Sequence, residues 1–141
     1  MDLLSLPGTL DSLQALNKYV VDAANAAGLA KKPAYNLRLA ADEVMTNIIL
    51  HGYEENGLTG NVDIKADIDD DKLTITVEDT AVAYNPFDTP EVQQEELNAP
   101  LESKKMGGLG VYLTLRSVDQ FLYERVDNKN RNIFIVNRVP S

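Results

Sequence analysis

Glu43 and Asn47 are the residues of this sequence whose types and spacing most strongly suggest chemistry. They lie four positions apart in a segment with helical periodicity, so both side chains project from one helix face, one turn apart. The apolar stripe of that helix comprises Leu37, Ala41, Val44, Ile48 and Leu50. A carboxylate beside a carboxamide on a mostly buried helix implies an ion, a nucleotide or a polar network, because an unpaired buried carboxylate is strongly destabilising.

These two side chains fit a metal-binding or catalytic role as well as a structural one. The carboxamide oxygen of Asn47 suits a hard divalent cation such as Mg²⁺, which takes oxygen ligands and keeps several waters. The carboxylate of Glu43 suits the task of orienting or deprotonating an attacking hydroxyl. The alternative is a helix face whose polar groups are solvated or bonded to each other. His51, the only histidine, is predicted to be structural because it lies near the end of the same helix.

Asp79 is the second candidate, at the end of a predicted strand. Leu73, Ile75 and Val77 alternate with polar residues and are predicted to face the helices, and Asp79 continues the same phase. A carboxylate on the buried face of a strand end can accept a hydrogen bond from a ligand, and an adenine amino group is one such donor. The alternative is an aspartate that starts a turn and accepts a hydrogen bond from its own backbone.

The third candidate is a glycine-rich segment. Gly107, Gly108 and Gly110 precede the apolar residues of a predicted helix, and Lys104 and the lysine after it come just before them. Free N–H groups and the helix dipole favour an anion at such a helix start. The alternative is a flexible hinge, in which glycine merely permits the turn.

The composition limits the possible partners. A chain of 141 residues suits one domain, over residues 1–141, and no cysteine is present to form disulfides or thiolate sites. The net charge of −9 and the lack of a Lys/Arg stripe argue against nucleic acid and favour a basic or neutral partner protein. No apolar run reaches membrane-spanning length and no basic leader starts the sequence, so a cytoplasmic protein is expected.

Periodicity and turn residues predict the order strand, helix, helix, strand, strand, lid, helix, strand, strand. The predicted strands are residues 3–6, 61–68, 72–79, 119–126 and 132–139, and the predicted helices are 9–28, 31–52 and 107–117. Before the last helix comes an acidic, proline-containing stretch without periodicity, a predicted lid over about residues 80–106. This order predicts an α/β (α+β) two-layer sandwich, with helices on one face of a mixed, mainly antiparallel sheet.

Taken together, these segments resemble the ATP-binding domain shared by gyrase-type ATPases, histidine kinases and mismatch-repair ATPases, known as the GHKL or Bergerat fold. The chain is most similar to the free-standing bacterial anti-sigma factor serine-protein kinases. Glu43 and Asn47, with residues 51–53, resemble the N box, in which the Asn binds magnesium and the Glu assists attack. Asp79 stands at the place of the adenine-binding Asp. Residues 107–110 resemble the second glycine box, which holds the phosphates.

The resemblance implies a Mg-ATP-dependent serine/threonine protein kinase and anti-sigma-type regulator of partner switching. Its cofactors would be ATP and Mg²⁺, its substrate a small anti-anti-sigma-type protein, and its second partner a sigma factor or another output regulator. In the implied mechanism, Glu43 accepts or orients the serine hydroxyl and Asn47 positions Mg²⁺. Gly107, Gly108 and Gly110 donate backbone N–H groups, and Lys104 or its neighbour offsets developing charge. A homodimer is plausible on the same grounds. Since neither a dimerisation helix pair nor a transducing domain is apparent, the substrate is expected to be another polypeptide.

Ala81 departs from the family pattern. The first glycine box usually reads Asp-x-Gly, whereas this chain has Asp79, Thr80 and Ala81. If position 81 requires a positive φ, alanine costs on the order of 1 kcal/mol, and its methyl group would crowd the adenine. The competing hypothesis is therefore a catalytically weak or inactive module of the same fold that acts as a stoichiometric protein-binding switch. A purely structural or oligomerising domain would require the ordered match to be accidental.

Overall fold

The computed structural model describes residues 1–83 and 117–138. The elements are β1 (Leu4–Pro7), α1 (Leu13–Ala26), α2 (Lys31–Asn47), β2 (Asn61–Ile68), β3 (Lys72–Asp79), β4 (Gln120–Val126) and β5 (Lys129–Asn137). Their order is the predicted one. The predicted lid from residue 84 onward, and the predicted helix 107–117 up to residue 116, lie outside the described residues.

The five strands form one sheet in the order β1-β2-β3-β5-β4, and all four neighbouring pairs are antiparallel. Along β3, Leu73, Ile75 and Val77 are fully buried, whereas the alternate residues are partly exposed. The buried face packs against α1 and α2, which also pack on each other. The predicted two-layer sandwich with a mainly antiparallel sheet is confirmed.

The start of α1 differs from the prediction. A helix over residues 9–28 was predicted, but residues Leu10–Ser12 form a separate 3₁₀ turn, and α1 begins at Leu13. Leu10, which falls within that predicted helix, is 48% exposed. The hydroxyl of Ser12 holds the turn by donating to the Pro7 carbonyl at 2.7 Å. The change of helical pitch rotates Leu10 away from the core.

The hairpin β4–β5 is tighter than predicted. A loop over residues 127–131 was expected, whereas the strands are joined by Asp127 and Asn128 alone, both with positive φ (52° and 64°). Asp and Asn tolerate this left-handed conformation, which is the one that suits a two-residue hairpin turn. As a consequence, Asn130 belongs to β5 and pairs directly with Asp79 of β3.

Helix α2 continues into a π-helical turn, Ile48–Tyr53, which anchors this end of the fold. The hydroxyl of the buried Tyr53 donates to the Asn61 carbonyl at 2.8 Å and accepts from the Thr80 N–H at 3.0 Å. Its ring lies so close to Gly8 and Gly60 that a Cβ at either glycine would come within 2.8 Å of the ring. Tyr53 thus ties the helix end to β2 and to the segment after β3. Within residues 1–83 and 117–138, no helix is both long and apolar enough to cross a membrane.

Candidate functional site

A cleft opens between the end of α2 and the ends of β3 and β5. It is lined by Val44, Asn47, Ile48, Gly52, Asp79, Val82, Asn130 and Asn132. Asn47 and Asp79, predicted from distant parts of the sequence to share a site, therefore lie on one cleft. Its walls are apolar except for the polar side chains of Asn47, Asp79, Asn130 and Asn132.

Asp79 is 2% exposed at the end of β3, with its two oxygens in different environments. Oδ1 accepts hydrogen bonds from the Ala81 N–H and from Nδ2 of Asn130, both at 2.9 Å. The bond from the Ala81 N–H is the one expected if Asp79 merely starts a turn. The turn interpretation therefore explains the hydrogen bonding of Oδ1. It does not account for Oδ2, which is buried and accepts no hydrogen bond from the residues that the structure describes.

The unpartnered Oδ2 of Asp79 has a counterpart on β5. Asn132 is also 2% exposed, and its Oδ1 is buried without a hydrogen-bond partner within residues 1–83 and 117–138. Leaving a buried acceptor unsatisfied costs about 1–3 kcal/mol. Two such acceptors on one cleft fit a ligand that brings N–H donors, as the amino group of adenine does. Burial raises the pKa of Asp79, which the hydrogen bonds from Asn130 and Ala81 partly offset.

Glu43 and Asn47 project one turn apart at the end of α2, as their spacing predicted. Asn47 is 7% exposed, and its amide makes no hydrogen bond with any of the described residues. Glu43 is half-buried and likewise has no hydrogen-bond partner in the described ranges. Burial, and then repulsion from Asp42, raises the pKa of Glu43. A desolvated carboxylate with a raised pKa has the character of a general base.

Asn47 was predicted to bind a metal ion. In the described portion of the chain, no group of three His, Asp or Glu side chains is arranged to hold a metal ion. The carboxamide oxygen of Asn47 is of the ligand type that Mg²⁺ accepts. Lys104, Gly107, Gly108 and Gly110, predicted to hold the phosphates, lie outside the described residues.

Ala81 does not carry the backbone strain considered from the sequence. Among the described non-glycine residues, only Asp127 and Asn128 have a positive φ, so alanine is unstrained at position 81. Its methyl group is buried against Gly52, where an added Cβ would come within 2.8 Å of the Ala81 Cβ. The absence of a side chain at position 52 leaves room for the methyl group at position 81.

This contact predicts that side chains at positions 52 and 81 compete for the same space. Gly52→Ala should destabilise the protein by about 1–3 kcal/mol, because two Cβ atoms cannot occupy that gap without a shift of backbone. Adding Ala81→Gly should restore most of the loss, whereas Ala81→Gly alone should have a smaller effect. Urea unfolding of the two single variants and the double variant measures the coupling. Additive losses in the double variant would show that the two positions do not compete for space.

Sequence reasoning missed Asn130 and Asn132. Asn130 was assigned to a loop, and Asn132 was read only as the first residue of a strand. The signal was present: Asp127 and Asn128 make a two-residue turn, after which Asn130, Asn132, Phe134 and Val136 alternate on the buried face. Two asparagines in the phase of core residues indicate a polar site at that end of the strand.

Comparison with known proteins adds independent information. A sequence profile of the family described as histidine kinase-like ATPase domain matches residues 6–136. The serine-protein kinase RsbW of Bacillus mycoides is 30% identical over 112 residues, which cover 78% of this chain and 68% of the relative. An RsbW of Bacillus cereus is 27% identical over 111 residues, with the same 78% and 68% covered.

Proposed function

We propose, because this chain belongs to the family of histidine kinase-like ATPase domains, that it is a Mg-ATP-dependent serine/threonine protein kinase. The match confirms the resemblance stated from the sequence, and the curated relatives are named serine-protein kinases. The observation that carries the proposal concerns Asp79, which lines the cleft together with Asn47. Its Oδ2 is buried and has no hydrogen-bond partner among the described residues.

In this proposal Asp79 and Asn47 bind opposite ends of the nucleotide. Asp79 accepts a hydrogen bond from the adenine amino group through Oδ2. Asn47, at the end of α2, contributes its carboxamide oxygen to Mg²⁺, which neutralises charge on the phosphates. Gly107, Gly108 and Gly110 donate backbone N–H groups to the phosphates, and Lys104 offsets developing charge. Ala81, beside the base, leaves binding intact because its methyl group packs on Gly52.

Glu43 is the proposed catalytic residue. It orients the acceptor hydroxyl and takes its proton, while the hydroxyl oxygen forms a bond to the γ-phosphorus. The bond from the γ-phosphorus to the bridging oxygen breaks, and ADP leaves with that electron pair. Phosphoryl transfer depends chiefly on such positioning and charge neutralisation. The half-buried position and raised pKa of Glu43 support this role.

The proposed substrate is a small anti-anti-sigma-type protein, in keeping with the resemblance to anti-sigma factor kinases. The same protein would sequester a sigma factor or another output regulator, so that phosphorylation decides which partner it holds. The net charge of −9 favours partners with basic or neutral contact surfaces. A homodimer in the cytoplasm, with residues 1–141 forming one domain, is part of the same proposal.

Calorimetric titration of Mg-ATP tests the proposed site. Asn47→Ala should weaken binding by about tenfold or more, equivalent to ~1.4 kcal/mol, because a cation ligand is lost. Asn25→Ala is the matched control, since it makes the same change on an exposed face of α1. Equal affinity in the Asn47→Ala variant and the parent would remove Asn47 from the site. No binding by the parent would favour the alternative, a stoichiometric protein-binding switch without catalysis.

A further inference from the structure

We propose that Asn130 is a positioning residue that makes the cleft selective for a 6-aminopurine nucleotide over a 6-oxopurine nucleotide. It does so by holding Oδ1 of Asp79, so that only Oδ2 is left to meet the base. The inference rests on the proposed nucleotide site and adds to it the residue that orients the recognising carboxylate.

Asn130 joins Asp79 to the segment that follows β3. Its Nδ2 donates to Oδ1 of Asp79 at 2.9 Å, to the Val82 carbonyl at 3.0 Å and, more weakly, to the Ala81 carbonyl at 3.3 Å. Asn130 is 2% exposed, so these bonds form away from bulk water. One amide group thereby fixes both the carboxylate and the backbone beside the cleft.

The orientation of the Asn130 amide is fixed by two side chains of β4. Its Oδ1 accepts from the Tyr123 hydroxyl and from Nη1 of Arg125 at 3.0 Å, and the same Nη1 donates to the Ala81 carbonyl at 3.2 Å. An amide turned the other way would direct its NH₂ group at the guanidinium, which can only donate, and an oxygen at Asp79. Tyr123 and Arg125 therefore keep Nδ2 pointed at Asp79.

This arrangement leaves Oδ2 as the oxygen of the Asp79 carboxylate that can accept hydrogen bonds from a ligand. Oδ1 of Asp79 already accepts two hydrogen bonds, whereas Oδ2 is buried and accepts none from the described residues. Asp79 lines the cleft together with Asn132, whose buried Oδ1 likewise has no partner in the described part of the chain. An exocyclic amino group supplies N–H donors to such acceptors. A 6-oxo group presents an acceptor instead, and a buried acceptor facing a carboxylate is rejected because neither partner is satisfied.

The charges around Asp79 predict a pH signature of this role. Arg125 faces it from β4 and Glu78 precedes it on β3, whereas Asn130, which donates to it from β5, is uncharged. Burial raises the pKa of Asp79, and the bond from Asn130 is the largest influence that lowers it. Removing that bond should raise the pKa further. Nucleotide binding needs the ionised carboxylate. As the pH is lowered, binding should therefore be lost at a higher pH than in the parent.

The test compares ATP with inosine triphosphate, which carries a 6-oxo group in place of the 6-amino group. The parent should bind Mg-ATP at least roughly tenfold more tightly than Mg-inosine triphosphate. Asn130→Ala should reduce that ratio to below about threefold and move the pH midpoint of ATP binding upward. Asn130→Asp keeps the shape but replaces the donor by an acceptor, so it should show the same changes even if the alanine variant does not fold. Asn128→Gly, in the exposed turn, is the control and should match the parent.

The outcomes separate this inference from the proposed function. If the parent prefers ATP and both Asn130 variants weaken the two nucleotides equally, with an unchanged pH midpoint, Asn130 is merely structural and the inference is wrong. The nucleotide site would stand in that case. If the parent binds neither nucleotide, the proposed function fails, and the inference fails with it.

Discussion

Glu43→Gln is expected to lower the rate of phosphoryl transfer by about 10²–10⁴-fold, the usual contribution of a general base. Glutamine has nearly the same shape as glutamate, but it cannot take the proton of the acceptor hydroxyl. Because Glu43 is not among the residues that line the cleft with Asp79 and Asn47, Mg-ATP affinity should stay close to that of the parent. A fall in rate at constant affinity is the signature of an interaction made only in the transition state.

The measurement is single-turnover transfer of labelled phosphate from ATP to small anti-anti-sigma-type proteins of the same organism. Glu54→Gln, an exposed glutamate beyond the π-helical turn, is the matched control and should react like the parent. Equal rates for Glu43→Gln and the parent would exclude Glu43 as the base. A parallel loss of Mg-ATP affinity would instead make it a binding residue.

Loss of stability cannot account for the expected loss of activity. The pKa of Glu43 is raised in the folded protein, by burial first and by Asp42 second. The folded state therefore binds the proton more tightly than the unfolded chain does, and ionised Glu43 destabilises the fold above the unfolded-state pKa of about 4.3. Glutamine removes that penalty. Thermal unfolding should show Glu43→Gln at least as stable as the parent at neutral pH. Any advantage should shrink as the pH falls through the raised folded-state pKa and should be absent below the unfolded-state pKa.

Much of the fold could be predicted because its signals are local. The alternation of β3 defines its buried face, and the acidic turn before it defines the boundary with β2, so both strands agree with the structure at each end. The prediction was wrong where the same residue types suit two conformations. Leu10 fits a helical stripe, but a 3₁₀ turn places it in solvent. Asp127 and Asn128 suit a long loop as well as the two-residue turn that they form.

The candidate site was only partly predictable, because it is assembled from distant segments. Asp79 was identified by its strand phase, and Asn47 and Glu43 by helical spacing. The partner of Asp79 could not be identified, since pairing of β3 with β5 places Asn130 beside it across 51 positions of sequence. The conformation at Ala81 was likewise beyond local reasoning. The space available to its methyl group depends on Gly52, which a different element contributes.

Tyr53→Ala should have the largest effect on stability, with an expected loss of about 3–5 kcal/mol, as for other buried aromatic residues. The ring fills the space that Gly8 and Gly60 leave open, and neither glycine can fill the resulting cavity. The hydroxyl also satisfies the Asn61 carbonyl and the Thr80 N–H. Truncation therefore adds an unfilled cavity to two lost hydrogen bonds.

Urea unfolding followed by far-ultraviolet circular dichroism measures this loss, since the chain has no tryptophan. Tyr35→Ala is the matched control. Tyr35 is 54% exposed, with the Arg38 guanidinium over its ring, so removal of the ring should change stability by no more than about 0.5 kcal/mol. Tyr53→Phe separates the two contributions, because it keeps the ring and leaves the Thr80 N–H without its acceptor, at about 1–3 kcal/mol. A Tyr53→Phe variant as stable as the parent would show that the hydroxyl does not hold the segment after β3, and the anchoring would then rest on the ring alone.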